Sequence, residues 1–353
     1  MQPMVTLLPG NGESELIGES PPMREVCRLV EMLAQAGGGP DPPTVLITGE
    51  TGTGKGVIAR AMHARSARAA APCIEVNCAA IPESLLEAEL FGYERGTFTD
   101  AKTARVGLFE AAAGGTLFLD EIGYLKPELQ VKLLNLIEDK RVRRLGSTQE
   151  RAVDVWILAA TNRDLEQAVA EGAFRADLYF RLTVMTIVLP PLRERGGDIL
   201  RLAEHFLQRF ARRYQRPVPH LAADARAALL RYPWPGNVRE LAHVMERAVF
   251  LDTTAVIHEN SLGLAMAGHG RHRLRIRSPA DGSPDIEFPA HGLVLGEVEK
   301  ALIAKALARA QGKTSQAARL LGISRNALRY RIEKYKLCPP TVDVERAAYP
   351  AAG

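Results

Sequence analysis

The run Val45-Leu46-Ile47-Thr48-Gly49-Glu50-Thr51-Gly52-Thr53-Gly54-Lys55-Gly56 decides how this 353-residue chain is read. An apolar, strand-like stretch delivers the chain into a glycine-rich turn ending on a lysine, and a helical pattern begins near Gly56. That order is what a phosphate-binding loop requires. Glycines let backbone N–H groups converge on phosphate oxygens, the helix N-terminus adds positive potential, and a lysine reaches the outer phosphates. Gly49, Glu50, Thr51, Gly52, Thr53, Gly54, Lys55 and Gly56 are therefore the candidate nucleotide contacts, with ATP and Mg2+ as the expected cofactors. Gly56 occupies the position where most such loops place a Ser or Thr hydroxyl on magnesium, so the metal must lean on another ligand.

Outward from this loop, β-rich runs at 44–48, 74–77, 116–119, 153–160 and 186–189 alternate with longer helical patterns. Such alternation predicts an α/β unit with a parallel sheet covered by helices. Gly114-Gly-Thr-Leu-Phe-Leu-Asp120-Glu121 is an apolar strand ending in two carboxylates. Asp120 can hold magnesium and Glu121 can polarise an attacking water, although such a pair can also simply cap the next helix. A third strand, Val155-Trp-Ile-Leu-Ala-Ala-Thr161-Asn162, ends in polar residues. Further on, Tyr232-Pro-Trp-Pro-Gly-Asn237-Val-Arg239-Glu240 predicts a capping box, Asn237 with Glu240, opening a helix from whose first turn Arg239 projects. Trp234 reads as packing.

At 46% hydrophobic the chain can bury a sizeable core. Its formal charge of +4 is unevenly spread: residues 291–337 carry ten Lys/Arg against three Asp/Glu, and 338–353 carry one Arg against two acids. The first 290 residues are then net −2, so a phosphate-backbone partner is expected for the basic end only. Cys27, Cys73, Cys78 and Cys338 have neither zinc-ligand spacing nor disulfide density, which suits reduced thiols in the cytoplasm. There is no secretory leader pattern, and no apolar run approaches the ~20 residues of a membrane span. The expected organisation is a tail (1–13), the α/β subdomain (14–190), a helical subdomain (191–265), a linker (266–290), a three-helix unit (291–337) and a second tail (338–353). No sensing domain is expected ahead of residue 14, so control would fall to a regulatory protein in trans or to expression level.

In the three-helix unit, Leu302/Ala306 and Ile303/Leu307 recur at i, i+4 on a first helix. A second helix ends at Leu321, Gly322-Ile323 turns tightly, and Ser324 caps a basic third helix. This is helix-turn-helix arithmetic. Leu328, Ile332 and Tyr335 form the inward stripe of the third helix, which leaves Arg325, Asn326, Arg329 and Arg331 for a DNA groove. Lys313, Lys334 and Lys336 are the expected phosphate contacts.

Between the phosphate loop and the Asp120-Glu121 pair lies Glu89-Leu-Phe-Gly-Tyr-Glu-Arg-Gly-Thr-Phe-Thr-Asp-Ala101, with an apolar Phe98 in an otherwise polar, glycine-flanked loop. It resembles the Gly-Ala-Phe-Thr-Gly-Ala loop with which sigma-54-dependent transcription activators, bacterial enhancer-binding proteins of the AAA+ class, grip sigma factor. Here the loop reads Gly96-Thr97-Phe98-Thr99-Asp100-Ala101. Six ordered motifs spread over residues 14–337 carry the resemblance. It implies an AAA+ P-loop ATPase with a parallel sheet core and helical lid, followed by an all-α Fis-type helix-turn-helix domain that dimerises on upstream DNA. It further implies that Phe98 and Thr99 engage the sigma-54 RNA polymerase holoenzyme, that Asn77 restrains Glu121, and that Asn162 and Arg239 serve as first and second sensors. Phe174-Arg175-Ala-Asp-Leu-Tyr-Phe-Arg181 matches the family's arginine-finger segment; acting on a neighbour's nucleotide, Arg175 and Arg181 would make a ring, a hexamer or a heptamer, the active homo-oligomer. On spacing alone the two arginines could equally be solvated helix residues. Thr97 adds bulk and Asp100 a charge where the family has small residues. A rival reading is therefore a DNA-binding regulator that uses ATP for assembly and no longer engages sigma-54.

Overall fold

The apolar run ahead of the phosphate loop is buried on both of its faces, which only an interior strand can achieve. The computed structural model describes residues 6–7, 16–98, 103–251, 255–264, 276–277, 285–286, 295–310 and 312–335. It divides into two units, Met1–Ala267 and Gly268–Gly353.

The strands of the α/β subdomain are β1 (Thr6–Leu7), β2 (Val45–Thr48), β3 (Cys73–Asn77), β4 (Gly92–Tyr93), β5 (Arg105–Val106), β6 (Thr116–Asp120), β7 (Arg141–Arg143), β8 (Glu150–Ala152), β9 (Trp156–Thr161) and β10 (Met185–Val188). Six of them form one sheet in the order β1-β3-β6-β9-β2-β10, parallel except for β1, which runs antiparallel to β3. β1 lies in the stretch expected to be a plain tail. Alternate residues feed opposite faces: Leu46, Leu117, Leu119, Ile157 and Ala159 pack into one cluster, and Val45, Ile47, Phe118, Leu158 and Ala160 into the other. Each fully buried Leu, Ile, Val or Phe contributes roughly 1.5–3 kcal/mol, so the sheet is rigid where it ends in polar loops.

The helices covering it are α1 (Pro21–Ala36), α2 (Lys55–Arg65), α3 (Glu83–Phe91), α4 (Leu108–Ala111), α5 (Pro127–Asp139), α6 (Leu165–Ala170) and α7 (Ala176–Leu182). β4 pairs β5 and β7 pairs β8 as two short hairpins outside the main sheet. A helical subdomain follows, with α8 (Asp198–Arg213), α9 (Ala223–Arg231), α10 (Asn237–Leu251) and α11 (Glu259–Leu262) around a core that contains Leu202, Phe210, Leu229, Leu241 and Trp234. Trp234 is fully buried and its indole N–H donates to the Leu229 carbonyl at 2.9 Å, as packing requires.

In the second unit α12 (Leu295–Arg309), α13 (Thr314–Leu320) and α14 (Arg325–Lys334) close on Ile303, Ala306, Leu307, Ala317, Ala318 and Leu328, with Ile332 and Tyr335 packed against them. Leu302, expected inward, is exposed; the inward stripe of α12 is Ile303-Ala306-Leu307-Ala310. Among the described residues no helix is long and apolar enough to cross a membrane.

Candidate functional site

The phosphate loop joins the C-terminal end of β2 to α2, at the end of the sheet where β6 and β9 also finish. Gly52 and Gly54 take φ of +82° and +107°, left-handed values that L side chains rarely adopt. A Cβ on Gly52 would lie 2.4 Å from the Gly236 carbonyl oxygen of the helical subdomain, whereas one on Gly54 would meet nothing within 4 Å. The N–H groups of Gly52, Gly54, Lys55 and Gly56 have no acceptor among the described residues, which is the donor array an anion cradle needs. Lys55 is buried and its Nζ donates to the carbonyls of Gly49 (2.9 Å) and Glu50 (3.3 Å). Burial pushes its pKa down, and the charges of Glu121 and Asp120 pull it back up.

Asp120 ends β6, and its carboxyl is held above the ordinary range by burial, against the opposing charge of Lys55. Glu121 stands in the left-handed region at φ +57°, a strained conformation of the kind that clusters at working sites. Asn162 joins these parts: its N–H donates to Glu121 Oε2 at 3.4 Å and its side-chain amide donates to Thr51 Oγ1 at 2.9 Å. Asn77 is in register with Asp120 across the sheet, but its Oδ1 accepts the N–H groups of Ala79 (3.0 Å) and Ala80 (3.1 Å). Asn77 thus forms an Asx turn at the strand end through its Oδ1, and Asn162 is the asparagine bonded to Glu121 here. A Cβ on Gly56 would approach Arg60 Nη1 (3.4 Å) and Glu75 Oε1 (3.6 Å). An oxygen-only carboxylate donor set beside an open cradle suits a hard divalent cation that keeps most of its waters.

The helical subdomain closes the site from above. Arg239 is exposed, its backbone N–H donates to the Gly52 carbonyl at 3.3 Å, and its charge acts on both Lys55 and Asp120. The expected capping box is absent in its Asn237 half. Glu240 does reach back, accepting from the Gly236 N–H at 2.8 Å, but Asn237 adopts φ +51° and sends its amide to the phosphate loop. Beside Thr53 and Gly54 lies a cavity of about 520 Å³ lined by Ile17, Met23, Leu189, Leu202, Phe206 and Val238. Sequence reasoning missed these side chains, because they come from five separate segments and share no spacing.

Arg175 stands at the N-cap of α7 and Arg181 in its last turn. Arg175 makes a bidentate pair with Asp177 (2.7 and 3.0 Å), and Arg181 is exposed. Nearby, Phe180, Val184 and Val188 expose 70%, 55% and 65% of their surface along the open β10 edge.

The loop of residues 94–104 springs from the β4–β5 stem. Phe98 is 45% exposed, its ring resting 4.8 Å from that of Tyr93. The Thr97 hydroxyl bonds to the carbonyls of Glu94 (2.7 Å) and Leu145 (3.0 Å). Thr99, Asp100 and Ala101 lie outside the described residues. Behind the stem, Arg144 binds Glu110 (2.7 Å) and Glu94 (3.3 Å), and Arg151 joins Glu110 at 3.2 Å.

In the second unit Gly322 turns at φ +65°, and Ser324 Oγ accepts the Ala327 N–H at 3.2 Å, capping α14 as expected. Arg325, Asn326 and Arg329 are exposed. Arg331 is not left for a groove: its guanidinium pairs with Glu299 of α12 and donates to the Ala327 carbonyl, so it locks α14 onto α12. Lys336 lies outside the described residues.

Comparison with known proteins assigns each part. Residues 16–188 match the sigma-54 interaction domain, 193–277 the AAA+ ATPase lid domain, and 294–335 the Fis family of bacterial regulatory proteins. The chain is 47% identical over 319 residues to the transcriptional regulatory protein ZraR of Klebsiella oxytoca, covering 90% of this chain and 68% of the relative. It is 43% identical to the regulatory protein AtoC of Escherichia coli, covering 93% and 69%. Among solved structures, NtrX from Brucella abortus in complex with ATP aligns with a TM-score of 0.65 at 31% identity, over 92% of this chain and 70% of that one. The chain belongs to the sigma-54-dependent transcription activators, as an ATP-binding AAA+ ATPase with a Fis-family helix-turn-helix that binds DNA.

Proposed function

We propose that this activator works as a homo-oligomeric ring in which ATP hydrolysis displaces the loop bearing Phe98 and Thr99 against sigma-54, opening the promoter complex. Within each site the free N–H groups of Gly52, Gly54, Lys55 and Gly56 bind the phosphates and Lys55 neutralises the outer charge. The apolar cavity lined by Ile17, Met23 and Phe206 takes the adenine base. Asp120 holds the Mg2+, which when bound offsets charge on the phosphate oxygens. Glu121 accepts the proton of the attacking water, and Asn162, bonded to both Glu121 and Thr51, holds that carboxylate at a fixed distance from the loop. Arg239 sits where it can respond to the outer phosphate. Arg175 and Arg181 belong to the neighbouring site: the exposed apolar edge of Phe180, Val184 and Val188 beside them fits burial against a second copy, which would free Arg175 from Asp177. Arg325, Asn326 and Arg329 read base edges, while Arg331 holds the reader together.

The observation that carries this reading is an exposed phenylalanine, Phe98, on a narrow two-strand stem in the same subdomain as the Lys55–Asp120–Glu121 cluster. An apolar ring held half out of the core leaves burial energy for a partner to supply. The test is a purified-component assay in which promoter opening by sigma-54 polymerase and ATP turnover are measured on one sample. ATP-dependent opening is expected; turnover without opening would sink the reading in favour of a regulator acting by occupancy.

A further inference from the structure

Four successive residues of the phosphate loop are held from the same side by the helical subdomain. Arg193, just ahead of α8, grips the Glu50 carboxylate with both arms of its guanidinium (2.7 and 3.0 Å). The Asn237 amide donates to Glu50 Oε2 (3.0 Å) and to the Thr51 carbonyl (3.1 Å), while its Oδ1 accepts the Leu192 N–H at 2.8 Å. Arg239 N–H donates to the Gly52 carbonyl at 3.3 Å, and buried Arg195 donates to the Thr53 carbonyl at 2.8 Å.

Two further facts show that this is a built contact. Asn237 is fully buried at φ +51° and Trp234, three residues earlier, is fully buried at φ +50°. Non-glycine residues hold left-handed backbone only where the surroundings over-determine it, and here the Asn237 amide is bonded at both ends. The residue expected to cap its own helix has been turned to bridge two subdomains.

The loop's peptides are thus used at both ends: several N–H groups are free for phosphate, and the carbonyls of Thr51, Gly52 and Thr53 are bonded to the helical subdomain. A peptide whose N–H binds an anion becomes a stronger acceptor at its carbonyl, because hydrogen bonds in a chain polarise one another. The geometry points to Asn237 as a positioning residue through which phosphate occupancy is transmitted to α10: phosphate on the front of the loop tightens the grip of Asn237 and Arg195 on its back, while Arg193 holds the Glu50 carboxylate that Asn237 shares. It rests on the nucleotide reading given above and adds to it a backbone route that does not run through the Arg239 side chain. Asn237 touches no reacting atom; it sets how firmly the lid follows the loop.

Hydrogen exchange of the full chain, with and without a slowly hydrolysed ATP analogue, tests this directly. In the wild type, nucleotide should protect both residues 50–60 and 238–251. Asn237→Gly accommodates the left-handed backbone while removing the amide, so it should keep protection at 50–60 and lose it at 238–251. Nucleotide Kd should rise about 10-fold, the scale of one charge-assisted hydrogen bond. Arg193→Gln, at an exposed position, should lose part of the lid protection, and Arg193→Lys should restore less than half, because it keeps the charge without the fork. Unchanged protection at 238–251 in both Asn237→Gly and Arg193→Gln, with 50–60 still protected, overturns the grip alone. If nucleotide fails to protect 50–60 in the wild type, the nucleotide reading falls and the grip with it. Should Asn237→Gly not fold, the Arg193 pair decides.

Discussion

Two loops of the same subdomain are built to opposite specifications. The phosphate loop is bonded on its back by Asn237, Arg239 and Arg195, at its tip by Asn162 and beneath by Lys55. The loop of residues 94–104 stands on a stem of two paired residues per strand, and Phe98 leans on Tyr93 alone among the described aromatic rings. One loop is fixed before the substrate arrives, which is how electrostatic stabilisation becomes effective. The other keeps Phe98 half exposed at the end of a shoulder that Thr97 ties to Glu94 and Leu145. On the proposed mechanism chemistry and work are separated in space, one loop for each task.

The separation breaks most severely at the fixed loop. Lys55→Ala, or Glu121→Gln with its near-identical shape, should lower kcat for ATP hydrolysis by at least about 100-fold, the scale of losing one preorganised charged group at a transition state. Steady-state phosphate release measures it. Activity within 10-fold of wild type in Glu121→Gln would move the water-activating role elsewhere.

Phe98→Ala attacks the other side. Because the ring is not part of the core, ATP turnover should stay within about 3-fold while promoter opening falls at least about 10-fold, as for loss of a buried aromatic anchor at an interface. A parallel fall in both rates would mean the two loops are not separate devices.

This asymmetry also governs what could be read from sequence. Gly49–Lys55 and Asp120-Glu121 were legible because their chemistry needs particular residues at fixed spacing along single strands, and the main strands fell within a few residues of the expected runs. Asn237 and Arg331 misled for a shared reason: each fits a local rule, helix capping or an exposed basic face, and each is taken by a partner distant in sequence, Glu50 or Glu299. Asn77 shows the local rule at work: its Oδ1 closes an Asx turn on Ala79 and Ala80 at the strand end. The apolar cavity was invisible because Ile17, Met23, Leu189, Phe206 and Val238 converge only after the two subdomains pack.

The base of the 94–104 loop is a third setting, pinned by ion pairs. Arg144 and Glu110 are mostly buried, and Arg144 and then Arg151 hold the Glu110 carboxyl below its ordinary range. A depressed carboxylate stabilises the fold above its unfolded pKa, and that stability is lost as pH falls through the lowered folded value. Glu110→Gln should therefore cost about 1.5–3 kcal/mol at neutral pH, the range for a hydrogen bond to a charged group. The deficit should shrink toward zero as wild type and variant are compared at increasingly acid pH. Thermal denaturation across pH measures it, and a pH-independent deficit would assign the loss to packing.

The smallest expected effect is the most specific to this chain. The Thr97 hydroxyl has one proton and two carbonyls within reach, so it ties the loop's shoulder to Glu94 or to Leu145 by about one hydrogen bond, worth roughly 0.5–1.5 kcal/mol. A Cβ at Gly146 would lie 2.4 Å from that hydroxyl, so the turn that receives it is shaped for close contact. Thr97→Ala removes the tie and leaves Phe98 and the stem in place. Hydrogen exchange at 94–98 should accelerate, and promoter opening should rise by up to about 5-fold at unchanged ATP turnover, the factor that ~1 kcal/mol of released restraint allows. Slower opening in Thr97→Ala would show that the shoulder must be anchored for the finger to push, and the tie at Thr97 would then belong to the working device.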